Sequence, residues 1–159
     1  MRVSTILAAA AALATGAVDA RIISVGLPKT IKAGETFSAE VTVLATQPRQ
    51  ELMIWGLSPY DYEWHNFPYP GSIGDEFART NLYATLKGQY SDSIPDLKVP
   101  ETTQPGDYGI QAVILQWSGA TNTPSLQTWF WNVTVGDATS EERVWVDENG
   151  DNSRNCYFS

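Results

Sequence analysis

"TFSAEVTVL", Thr36 to Leu44, decides the fold by its period. Phe37, Ala39, Val41 and Val43 alternate with Thr36, Ser38, Glu40 and Thr42, so apolar side chains recur at every second residue. A chain with that period turns one face to a core and the other to water only as a β-strand. Burying each Phe or Val on such a face stabilises by about 1.5–3 kcal/mol.

Outward from this stretch the same pattern continues between turn residues. Upstream, "RIISVGLP" is a short strand stopped by Pro28, and "KTIKAGET" supplies a turn at Ala33-Gly34. Downstream, "ELMIWGL" is apolar on both faces, as a central strand must be. "DEFARTNLYATLKG" (Asp75 to Gly88) fits either one helical turn or a strand. "DSIPDLKVP" is a strand that carries Pro95, which suits a sheet edge. "PGDYGIQAVILQW" runs from a Pro-Gly turn into a long apolar strand. After the turn-rich "SGATNTP", "SLQTWFWNVTV" is the last core strand. There Trp129, Trp131, Val133 and Val135 share one face, and Phe130, Asn132 and Thr134 the other.

Roughly seven short strands separated by Gly and Pro turns predict an all-β, antiparallel β-sandwich. Tyr108 follows Gly106-Asp107 at the start of the penultimate strand, where immunoglobulin-like folds place a tyrosine corner. Two residues on stands Ile110 instead of a cysteine, so the expected architecture is immunoglobulin-like without the central disulfide. The sandwich is expected over residues 21–138, with a polar C-terminal tail over 139–159.

The N-terminus speaks to compartment. Arg2 precedes a run from Ile6 to Val18 that is almost wholly apolar and alanine-rich, and Val18 and Ala20 are small residues where a signal peptidase reads. Residues 1–20 are therefore expected to be a secretory signal peptide, too short for a membrane anchor, with the mature chain starting at Arg21. No later run is long and apolar enough to span a bilayer by sequence. The full chain has 10 basic and 18 acidic residues. Removing Arg2 and Asp19 leaves 9 − 17, a net charge of −8. A chain so acidic, with no cluster of Lys or Arg, is not expected to bind nucleic acid. Cys156 is the one cysteine, so the hydrophobic core must hold the fold, and the thiol is either free or paired between chains.

Catalysis needs converging groups, and this chain is poor in them. The single histidine, His65, is more than eighty residues from Cys156, and no G-x-S-x-G motif supports a serine nucleophile. One His and one Cys do not supply a transition-metal centre. Asp147, Asn149 and Asp151 match the start of a calcium loop, but Asn152 replaces its glycine and Phe158 its glutamate, so "DENGDN" reads as a solvated turn. Asp61, Glu63, Asp75 and Glu76 offer carboxylates for glycoside hydrolysis, but sequence spacing does not set the separation that reaction requires. The expectation is a non-enzyme with no metal and no cofactor.

The densest feature is "SPYDYEWHNFPYPGSIG", Ser58 to Gly74, with Tyr60, Tyr62, Trp64, Phe67 and Tyr69 within ten residues. Exposed aromatics stack on sugars, anchor protein interfaces, or pack under a loop, and composition does not separate the three. A second candidate is Asn132-Val133-Thr134, an N-glycosylation sequon whose strand phase puts Asn132 opposite the tryptophan face.

"LPKTIKAGETF", "YPGSIG", "IPDLKVP", "PGDYGIQAVI" and "SGATNTPSLQTWFWNVTVGDATS" resemble blocks of the fungal necrosis-inducing secreted protein family, over most of residues 20–140. The resemblance implies a small secreted effector of a plant-associated fungus, acting in the host apoplast or host cytoplasm. It implies binding to receptor-associated immune kinases, suppression of their signalling and, for some members, plant cell death. It implies no enzymatic activity and assigns no binding residue. "DYEWHNF" and the tail from Glu141 to Ser159 depart from the family pattern. Tyr60, Tyr62, Trp64, Phe67 and Tyr69 are thus expected on a loop offered to a host protein, with a cell-wall polysaccharide as the alternative partner.

Overall fold

In the computed structural model the described residues are 20–60 and 72–157, with 155–157 described by backbone alone. The segment 1–19, which holds nearly all of the expected signal peptide, lies outside them. The chain forms β1 (Arg21–Pro28), β2 (Thr30–Lys32), β3 (Thr36–Leu44), β4 (Arg49–Pro59) and β5 (Asp75–Asn81). A one-turn helix α1 (Leu82–Thr85) follows, then β6 (Ser91–Lys98), β7 (Gly106–Ser118), β8 (Thr123–Gly136), β9 (Arg143–Asp147) and β10 (Ser153–Tyr157). One sheet has the order β6-β3-β1-β9. The other runs β10-β8-β7-β4-β5, with β2 joined parallel to β8. The fold is all-β, as the alternation predicts.

The two sheets close on one apolar core. Phe37, Ala39, Val41 and Val43 of β3 are all buried, as are Trp129, Trp131, Val133 and Val135 of β8. The Trp131 ring lies 5.8 Å from that of Trp55 on β4 and 6.3 Å from that of Trp129, and its indole N–H bonds to the opposite sheet. β4 is central, as its two apolar faces require, flanked by β5 and β7. At one end of the core a polar cluster replaces apolar packing. The Gln50 side chain accepts from the Ile22 N–H at 2.8 Å and donates to the carboxamide oxygens of Gln116 and Gln127. Gln50 joins the buried amides to one another, while Gln127 Nε2 finds no partner among the described residues.

β6 is an edge strand, and Pro95 explains its shape. Ala39 pairs with Ile94 and Phe37 with Leu97, so one extra residue of β6 bulges out and Asp96 takes φ 60°. A proline lacks the ladder donor, and only an edge tolerates that loss.

Four features refine or depart from the sequence expectation. "DEFARTNLYATLKG" is both a strand and a helical turn, divided where the Asn81 side chain caps the turn by accepting from the Ala84 N–H at 3.1 Å. Residues 139–159 are not a tail: β9 pairs with β1 and β10 with β8, so each sheet gains a strand from the C-terminal segment. Such strands rest on main-chain ladders, which leave little trace in hydrophobic pattern. Phe130 faces away from the core tryptophans yet is only 5% exposed. Tyr108 packs on the core edge, but its hydroxyl makes no hydrogen bond among the described residues, so the latch of a tyrosine corner is not formed.

Candidate functional site

The aromatic stretch joins β4 to β5, and the structure describes its two stems. Tyr62, Trp64, Phe67 and Tyr69 lie outside the described residues, as do Asp61, Glu63 and His65. Tyr60, the fifth predicted residue, is half-buried, and its N–H donates to the Asp107 carbonyl at 2.9 Å. That bond ties the outgoing stem to the start of β7.

The returning stem is fitted against β4 through two glycines. A Cβ on Gly56 would stand 1.9 Å from the Ile73 carbonyl oxygen. Gly74 adopts φ 72°, and a Cβ there would stand 2.0 Å from Ser58 Oγ and 2.4 Å from the Leu57 oxygen. Only a residue without a side chain allows both the conformation and the approach. The Gly74 N–H also donates to Ser72 Oγ at 3.2 Å, which fixes the turn into β5.

A groove of about 230 Å³ opens beside Tyr60, lined by Lys29, Asp107, Tyr108, Asn132, Val133, Thr134 and Val144. Thr134 Oγ1 donates to Asp107 Oδ1 at 3.0 Å, and Lys29 Nζ pairs with Glu142 at 2.9 Å. Sequence reasoning did not single out Lys29 or Asp107, because they reach this groove from strand ends far apart in the chain. A larger cavity of about 590 Å³ lies elsewhere, with Arg21, Tyr90 and Glu148 in its wall. Arg21 Nη2 meets Glu148 Oε1 at 2.6 Å there, and Tyr90 is 69% exposed.

Asn132 stands on the outer face of β8, exposed, as the strand phase predicts. Among the described residues no group of three or more His, Cys, Asp or Glu side chains is placed to hold a metal ion. Of the four carboxylates near the aromatic stretch, Asp75 and Glu76 are described. Arg79 grips Glu76 with Nε–Oε1 at 2.5 Å and Nη2–Oε2 at 2.9 Å. The hydrogen bond from Arg79 holds the Glu76 carboxyl below the ordinary carboxylate range. A glycosidase general acid needs the opposite shift. As neighbours on one strand, Asp75 and Glu76 also point to opposite faces of the sheet.

Comparison with known proteins adds what geometry does not. The model of the Nis1 family matches residues 18–134. Necrosis-inducing secreted protein 1 of Colletotrichum orbiculare is 32% identical over 146 residues, covering 91% of this chain and 86% of that protein. The protein of the same name from Colletotrichum higginsianum is 28% identical over 137 residues, 86% of this chain and 92% of that protein. The family match starts just before β1, takes in β1 to β7 and nearly all of β8, and stops short of β9 and β10. With a match over most of its length, the chain belongs to the Nis1 family.

Proposed function

We propose that this protein is a fungal effector that binds a host immune-receptor-associated kinase and suppresses defence signalling, acting by binding rather than by catalysis. The observation that carries the reading is family membership together with near full-length similarity to two proteins named as necrosis-inducing and secreted. The protein is secreted, in keeping with those relatives. Residues 1–20 are read as its signal peptide. The strand order supports an immunoglobulin-like sandwich. β1, β3 and β6 neighbour one another in one sheet, β5, β4, β7 and β8 in the other, and β2 crosses to run parallel with β8. On such a scaffold, loops at the sandwich ends carry recognition. We assign the contact to the β4–β5 connection, with Tyr60, Tyr62, Trp64, Phe67 and Tyr69 as its anchors, because aromatic side chains supply much of the energy of protein interfaces.

The test is co-precipitation of the secreted protein with receptor-associated kinase domains from leaf tissue, beside a Trp64→Ala/Tyr69→Ala variant. The expected result is capture above that of an unrelated acidic β-sandwich, lost in the variant. Capture that survives in the variant would move the contact off this loop. No capture of any such kinase, with retention on insoluble chitin or β-glucan instead, would replace the kinase reading by polysaccharide binding.

A further inference from the structure

We propose that Asn132 carries an N-linked glycan that overlies the groove beside Tyr60. The sequon Asn132-Val133-Thr134 has no proline at its centre. It lies within β8, and the extended backbone sends the Asn132 and Thr134 side chains to the same outward face. Both are exposed, while Trp131 and Val133 between and before them are buried on the core side. The Asn132 carboxamide makes no hydrogen bond among the described residues. Thr134 keeps its hydroxyl near the surface, bonded to Asp107.

The neighbouring strands leave this point open. β10 pairs with β8 only as far as Trp129, and β2 begins its pairing at Thr134. Asn132 therefore sits at an interruption of the ladder on one side of β8, and its side chain forms part of the groove wall with Tyr60 and Tyr108.

The acceptor nitrogen is Nδ2, and the donor is an oligosaccharide linked through pyrophosphate to a polyisoprenoid lipid, met by a secreted chain in the export compartment. The Nδ2–C1 bond forms as the bond from C1 to the pyrophosphate oxygen breaks. The lipid pyrophosphate leaves with the electron pair, and the amide loses one proton. The attached chain would be bulky, hydrated and on the surface. It would cover the part of the groove lined by Asn132, Thr134 and Tyr108.

The full chain secreted from yeast is compared by intact mass and peptide mapping before and after endoglycosidase H. The expected result is a mass decrease on digestion, with one N-acetylhexosamine left on the peptide holding Asn132. Asn132→Gln and Thr134→Ala should both lack the shift, and Thr134→Ser should keep it. Secreted wild-type protein without a sugar on that peptide overturns the proposal. So does an unchanged digestion shift in Asn132→Gln. If a variant is not secreted, the wild-type peptide map decides alone.

Discussion

The indole N–H of Trp131 donates to the Val25 carbonyl oxygen at 3.1 Å, linking the two sheets through the buried core. Trp131 and Val25 are both fully buried, so water cannot replace the bond. Trp131 also stands between Trp55 and Trp129, with its ring plane 7° from that of Trp129. One side chain thus joins the strand that leads into the candidate loop to the strand that carries Asn132.

Trp131→Phe keeps an aromatic ring and removes the donor. Losing a buried hydrogen bond costs about 0.5–1.5 kcal/mol, and the smaller ring adds the cost of a cavity. The expected outcome is a lower urea midpoint with an unchanged slope, since the surface exposed on unfolding stays the same. A midpoint equal to that of the wild type would show that the indole bond adds nothing net to stability.

On the outer face of the other sheet, Trp145 lies across Gly26. The two are ladder partners, and a Cβ on Gly26 would stand 2.7 Å from the indole Cε2. Gly26→Ala must therefore push the ring away, at a cost of about 1–3 kcal/mol for an overpacked contact. In a Trp145→Ala background the same substitution should cost almost nothing. Equal costs in the two backgrounds would mean that the clash is relieved by backbone movement instead.

Gly74 links stability to the candidate site. Its φ of 72° is unfavourable for alanine by about 1–2 kcal/mol, and the added methyl would also strike Leu57 and Ser58. Gly74→Ala is expected to displace the returning stem and weaken partner capture by at least tenfold. The sheets beyond β5 should keep wild-type amide-exchange protection. Global loss of protection would place Gly74 in the folding of the whole sandwich.

Some of this was legible before any coordinates. "TFSAEVTVL" and "SLQTWFWNVTV" each announce which face is buried, because a strand alternates its side chains and only one phase hides the apolar set. Pro95 marked an edge strand for an equally local reason. "RVWVD" and "SRNCY" were missed because edge strands are held by main-chain bonds that any residue offers. The mixed signal of "DEFARTNLYATLKG" came from a strand followed at once by a capped helical turn.

The candidate site divides in the same way. The sequence by itself determined the all-β class, the inward and outward faces of β3 and β8, the exposed sequon at Asn132 and the aromatic stretch between β4 and β5. Tertiary structure alone decided that Tyr60 is tied to Asp107, that Gly56 and Gly74 let the stems close on each other, and that Lys29, Tyr108 and Asn132 share one groove. The first set follows from a period of two along a single strand, which depends on neighbours a few residues apart. The second depends on which strands lie side by side, and that is settled by packing two sheets around one core.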